Sequence, residues 1–522
     1  MSSASPTGSC TGSIGSVGPV RSPVAVVLAA LLLLTLSAGA PWAEAGDRKP
    51  NVVLVVIDAL RPDHLGCYGY PHATSPNIDA LAGKAVVFEN AIAQVPWTKS
   101  SFSSMFTSLY PFQHGVEDWE SVLAESLVTL PELLREAGYT TAAVINILAL
   151  EGRYQVLQGF DTVNSEPKNK RDAEATTDDA IDLIRASSEP FFVMIHYFDP
   201  HEPYAATRGY VEKVRPDADM AAVQARLSEH QAGRRPAEEH RDKDIVLYDA
   251  CIRQVDDQMV RLLGLLDEMD IADQTLVIIT ADHGEAFWEH GCCCHAVNLY
   301  DEVLRVPLII SYPKRYRTPR RIEPQVSLID LLPTIAGLTG ISDAEHREGL
   351  DLDGLVIGSG LTGPVRRFLP GDMTMAEISL RTIPETKCLR TTRWKMILEP
   401  ATGWVELYDL AADAGETVDV SGSEATVADS LLDLMRRVPG IPLQGWRMAF
   451  TGGKTIRFRV KASVEGQPQF TLARKLTRGR NLSGEPGVFI WWLPGDPAIP
   501  ARPVSELTPG ERQKLKALGY IQ

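Results

Sequence analysis

Six side chains in this sequence have the types and spacing to do chemistry together: Asp58, Thr98, His201, Asp282, His283 and His295. Asp58 closes the run "NVVLVVID", Thr98 opens "TKSSFSSMFTSLYP", and His201 lies in "HYFDPHEPY". Asp282 and His283 end "TLVIITADH", and His295 follows "EHGCCC". Singly, each has an ordinary role: Asp58 or Thr98 as a helix cap, His201 on a surface loop, Asp282 and His283 fixing a turn. Together they are oxygen and nitrogen donors suited to a divalent metal. Asp58, Asp282 and His283 would hold the metal, and the Thr98 oxygen would join it. Coordination would lower the hydroxyl pKa and make an attacking alkoxide of a poor nucleophile. A helix starting at Thr98 would offer its free N–H groups to an anionic ester. His201 and His295 would hold non-bridging oxygens or protonate the leaving group. A tetrahedral phosphate or sulfate ester suits such a pocket. A carboxyl ester does not, since no Gly-x-Ser-x-Gly elbow occurs.

These residues need a scaffold that brings them to one place. "NVVLVVIDAL" (51–60) is continuously apolar and β-branched, as a strand buried on both faces of a parallel sheet should be. "PFFVMIHYFDP", "QTLVIITADHG" and "VPLIISYP" read as further strands, and "LPELLREAGYTTAAVI" as helix, turn and strand. "DIVLYDACIRQVDDQMVRLLGLLDEM" (244–269) is a long amphipathic helix. The alternation predicts an α/β fold with a mainly parallel central sheet flanked by helices. In such sheets, polar residues just beyond the strands' carboxyl ends share one crevice. Residues 205–243 are polar and strandless, and are expected to form a helical insertion or lid. From about 375 the strands shorten into an antiparallel region: 376–440 as a C-terminal subdomain, then 441–522 as a β-rich accessory part. That part ends in a helix capped by Thr508 and Pro509.

The first 45 residues read as an export signal, with the apolar run Val24–Leu36 ahead of Ala43-Glu44-Ala45. The expectation is a periplasmic or extracellular protein, in contact with membrane only if that segment stays as an anchor. A net charge of −16 argues against nucleic acid as a partner. The seven cysteines form no disulfide framework. Cys292, Cys293 and Cys294 read as a loop with one or two thiols packed inside, because a zinc site would want separated pairs.

The ordered series "KPNVVLVVIDALRPDHLGCYGYPHATSPNIDALA", "PWTKSSFSSMFTSLYPFQHGV", "HYFDPHEPY", "TLVIITADHGEAFWEHG", "NLYDEVLRVPLII" and "ELYDLAADAGE" resembles the sulfatase family of the alkaline phosphatase superfamily, over residues 48 to 420. The resemblance implies an alkaline-phosphatase-like catalytic domain over 46–375. It departs at the nucleophile. The family matures a Cys or Ser to formylglycine within C/S-x-P-S-R, whereas here the positions hold Thr98, Ser100 and Phe102. Threonine cannot become formylglycine, because its oxidation would give a ketone. The second Asp of the family's first motif is Ala59, and His295 stands nearest the usual lysine. A threonine there resembles the phosphotransfer and phosphodiester branches. The resemblance thus implies a hydrolase or transferase of phosphate esters, sulfate esters remaining open, with a small anionic ester as substrate. One divalent metal (zinc, manganese or calcium) is expected. A second is left open, since His196, His201 and His295 are too few to settle it. The alternative is an inactive binding protein that keeps the fold.

Overall fold

The computed structural model describes residues 48–165, 171–342, 347–359, 374–378, 385–400 and 404–435, and the backbone of 444–449 and 487–492. The segment read as an export signal, the helix expected at 508–519 and most of the accessory region fall outside the described residues. Within Lys49–Gln522, which forms one compact unit, the strands are as follows. β1 is Asn51–Ile57, β2 Val86–Ile92, β3 Thr140–Ile145, β4 Thr162–Ser165, β5 Phe191–Tyr197 and β6 Thr275–Thr280. β7 (Ala286–Phe287) and β8 (Cys293–Cys294) make a small hairpin. β9 (Arg305–Ser311), β10 (Arg320–Ile322) and β11 (Val326–Ser327) complete the main sheet.

That sheet runs β10-β2-β9-β6-β1-β5-β3-β4, with β11 also on β2. Its pairs are parallel except those of β9, which runs against both β2 and β6. Every residue of β1 is buried, because helices cover both faces of the sheet. Two-sided burial is why its sequence shows no alternation. β1 lies between β5 and β6, with Val56 level with His196 on one side and Thr280 on the other. Asp58 and Asp282 therefore each lie two residues past matched positions on neighbouring strands. The topology puts their carboxylates side by side at one end of the sheet.

The long helix is Arg241–Glu268. The segment 205–243 contains helices Arg208–Val214 and Met220–Gln231. It is tied down by Arg226 and His230 on Asp244, at 2.6 and 2.9 Å. β12 (Thr374–Ile378), β13 (Thr386–Arg390), β14 (Trp394–Glu399) and β15 (Trp404–Asp409) form a separate antiparallel sheet. Helix Ala425–Met435 contributes Leu431, Leu432 and Met435 to its core. β16 (Gln444–Ala449) and β17 (Gly487–Trp492) pair antiparallel; the other accessory strands read from the sequence lie outside the described residues. Among the described residues, no helix is long and apolar enough to cross a membrane.

Candidate active site

Asp58 leaves β1 with its N–H on the Tyr197 carbonyl, at 2.9 Å. The chain then turns at Ala59, whose φ is 58°. The Ala59 N–H reaches Asp282 Oδ1 at 3.3 Å, and the His283 N–H reaches the same oxygen at 3.0 Å. These bonds fix Oδ1 and aim Oδ2 at the neighbouring donors. His283 Nδ1 bonds the Gly284 carbonyl at 2.9 Å. That bond makes Nδ1 the protonated nitrogen, so Nε2 presents its lone pair to the site, the orientation usual for a metal-binding imidazole. His283 Nε2 is 3.5 Å from Asp58 Oδ1, 3.4 Å from Asp282 Oδ2 and 3.4 Å from Thr98 Oγ1.

Thr98 is the first residue of helix Thr98–Thr107, and Trp97, in extended conformation, is the N-cap. The hydroxyl is thus one residue inside the helix, facing His283, and the capping role open to Thr98 in the sequence is not the one it takes. All ten residues of this helix are buried, although six of them are Ser or Thr. Two of their hydroxyls bond to carbonyls: Ser101 Oγ donates to that of Asp282 at 2.6 Å, and Ser103 Oγ to that of Lys99 at 2.8 Å. The Ser101 bond staples this helix to the segment that follows β6. Lys99 points elsewhere, its Nζ on the carbonyls of Trp119 and Ser121 at 2.7 Å each.

His201 and His295 close the site. The rings of His283 and His295 are 4.3 Å apart and those of His201 and His295 4.7 Å apart. His201 Nδ1 donates to the Glu202 carbonyl at 2.5 Å. His295 Nδ1 is 3.1 Å from Glu285 Oε1. The hairpin β7–β8 carries His295 over the site, and the cysteine run makes its second strand rather than a simple loop. All three cysteines are half-buried. Cys294 Sγ lies 3.4 Å from Glu202 Oε2, linking the hairpin to the His201 loop. Burial, opposed by Asp282, pushes His295 down to about 4. Burial and the neighbouring Glu285 push Glu202 up to about 7.

The structure thus brings all six sequence-predicted residues together. It adds a seventh, His196, which the sequence offered only as one of three histidines of unsettled role. One donor atom each from Asp58, His196 and Asp282 lies within 4.8 Å of the others, all three residues being buried. Burial, opposed by Asp282, pushes His196 down to about 4, so its ring is neutral at pH 7. The signal was present in the sequence: one imidazole in an otherwise apolar run, "FFVMIHY".

These residues fit a divalent cation. Two acidic groups are buried beside imidazole nitrogens, Asp282 Oδ2 has no hydrogen bond, and buried acids are stable together only with a positive partner.

The fold and the site define an ester hydrolase built on the alkaline-phosphatase plan. The family model described as Sulfatase matches residues 50–341, more than half of the chain, and the protein belongs to the sulfatase family. The chain is 25% identical over 452 residues to the uncharacterized sulfatase YidJ of Escherichia coli, covering 75% of this chain and 88% of that protein. It is 28% identical to human iduronate 2-sulfatase over 382 residues, 56% of this chain and 69% of the relative. The phosphonate monoester hydrolase of Agrobacterium radiobacter shares the fold, with a TM-score of 0.62 at 22% identity. That likeness covers 74% of this chain and 95% of the other.

Proposed function

We propose that the protein cleaves phosphate esters, phosphodiesters above all, with Thr98 as the nucleophile. The carrying observation is the Thr98 hydroxyl 3.4 Å from His283 Nε2, on the first turn of a buried helix. A divalent cation held by Asp58, Asp282 and His283 with Thr98 would supply the positive charge that lowers the hydroxyl pKa and neutralises the ester oxygens.

The chain's own residues do the rest. Thr98 Oγ attacks phosphorus, its bond to phosphorus forms, and the bond to the leaving oxygen breaks. The Thr98 proton passes to His201 or His295, which face the leaving group and the non-bridging oxygens, and the same imidazole returns it to the departing alcohol oxygen. The N–H groups of the helix starting at Thr98 face the anion. Water then displaces the phosphoryl group from Thr98, regenerating the hydroxyl; an acceptor alcohol in place of water would make the reaction a transfer. Phosphate is favoured over sulfate because a sulfated threonine has no adjacent hydroxyl to expel sulfate. The substrate class is a small anionic ester such as a lipid head group or sugar. Export is part of the reading, supported by the run Val24–Leu36 before Ala43-Glu44-Ala45.

Incubation with bis-nitrophenyl phosphate tests it. Nitrophenol release should fall at least about 10³-fold in Thr98→Ala, and a quenched digest should carry a phosphoryl adduct on the Thr98 peptide. Equal rates in parent and Thr98→Ala would overturn the proposal. A mature N-terminus at Gly46 tests the export reading.

A further inference from the structure

We propose that His196 is a ligand of the same cation, so that the ion is held by two carboxylates and two imidazoles. The inference rests on the metal-site reading given above and adds a donor to it.

His196 sits inside β5, level with Val56 and two positions below Asp58. Its ring is buried, with Nε2 3.3 Å from Asp58 Oδ2. Neither ring nitrogen makes a hydrogen bond. A buried polar group without a partner costs about 1–3 kcal/mol, and such groups in folded proteins call for a specific cause. An imidazole serving only as core filler would be better replaced by an apolar ring at this position. Facing two acids, it has a use as a nitrogen donor.

One donor atom each from Asp58, His196 and Asp282 lies within 4.8 Å of the others, and the pairwise spacings to Asp58 and His283 are short. His196 to Asp58 Oδ2 is 3.3 Å, His283 to Asp58 Oδ1 3.5 Å, His283 to Asp282 Oδ2 3.4 Å and Thr98 to His283 3.4 Å. Donors about 2.0–2.2 Å from one centre stand at most about 4.4 Å apart, and these four spacings fall inside that limit. The two histidines face different oxygens of Asp58, so that one carboxylate joins both sides of the site. Phe102 holds the His196 ring edge-on, with centroids 5.6 Å apart. Ala59 contributes only its N–H, to Asp282; the further side-chain donor comes from the neighbouring strand instead. Two nitrogen donors select a zinc- or manganese-type ion over calcium, which prefers oxygen throughout.

The test uses the full chain, stripped with a chelator and titrated with zinc and with cobalt(II) against a chromophoric competitor. His196→Ala should keep the far-UV circular dichroism of the parent, bind zinc at least about 10-fold more weakly, and shift the cobalt d–d bands. A folded His196→Ala with the parent's affinity and cobalt spectrum overturns the proposal. His196→Asp covers the case in which the alanine variant does not fold. It should move the zinc-to-calcium affinity ratio toward calcium, and an unchanged ratio in the folded variant also overturns it. If the parent binds no stoichiometric ion, or Asp58→Asn binds as the parent does, the metal-site reading itself fails, and this proposal with it.

Discussion

Two clusters of buried charge sit in this molecule, and they are built on opposite plans. Where the C-terminal sheet meets the catalytic domain, Asp301 takes Arg390 at 2.7 Å and Lys395 at 2.8 Å, and Lys395 also takes Glu416 at 2.8 Å. Two cations and two anions meet there, and Lys395 and Glu416 are almost wholly buried. Asp301 is held well below the usual carboxylate range by Arg390 and Lys395, against the opposing effect of burial. At the end of the central sheet, Asp58 and Asp282 face His196 and His283, at 3.3 to 3.5 Å. The first cluster carries its counter-charges within the chain. The second sets two buried acids against imidazoles, a donor set that suits a divalent cation. The contrast separates a structural ion network from a site built for a cation.

Removing one partner from the self-balanced cluster should have the larger effect on stability. Lys395→Met strands Glu416 in a buried position and leaves Asp301 with Arg390 alone of its two cationic partners. Losing one member of a buried pair costs about 3–5 kcal/mol, which denaturant unfolding would measure. The same variant should keep the parent's metal stoichiometry by elemental analysis. Loss of metal together with stability would merge the two clusters into one unit and break the comparison.

Chelation should touch only the other cluster. An ion that binds the folded state alone adds about 2.7 kcal/mol at a free concentration 100 times its dissociation constant. The parent's melting temperature should therefore rise when zinc or manganese is restored to the stripped protein, and that of an Asp282→Asn variant should not. Lys395→Met, from its lower starting point, should gain as much as the parent does.

How far the sequence shows this contrast depends on where each residue sits. Asp58, Asp282 and His283 stand where apolar runs stop, and the rule that α/β sheets bind ligands beyond their strand ends collects them with Thr98, His201 and His295. The parallel order β6-β1-β5 then makes neighbours of residues more than a hundred positions apart. His196 escapes that rule because it lies within a strand, where a single polar residue reads as core and only the register against β1 gives it a partner. Nothing local marks Asp301, Arg390, Lys395 and Glu416 as one network either. They come from a short helix, two strands of a different sheet and a loop, and only the docking of that sheet assembles them. The hairpin formed by Cys293 and Cys294 was hidden for a related reason: a two-residue strand is too short to show a period.

The smallest expected effect is a slope with pH, and its sign follows from burial. In the chelator-treated protein, His196 and His295 are both pushed down to about 4 from an ordinary value of 6.5. Between those limits the unfolded chain binds protons that the folded chain does not. Stability is therefore full above about pH 6.5 and falls as the pH drops toward 4. Each histidine adds up to about 1.4 kcal/mol per pH unit across that window. His295→Asn, measured by urea unfolding at a series of pH values, should flatten the slope by one histidine's share, and His196→Asn should do the same. With zinc restored, the His295 share should remain while the His196 share moves to lower pH, because an ion on Nε2 excludes the proton there. If zinc leaves both shares unchanged, His196 belongs with the self-contained chemistry of the chain, and the division between the two clusters has been drawn one residue too wide.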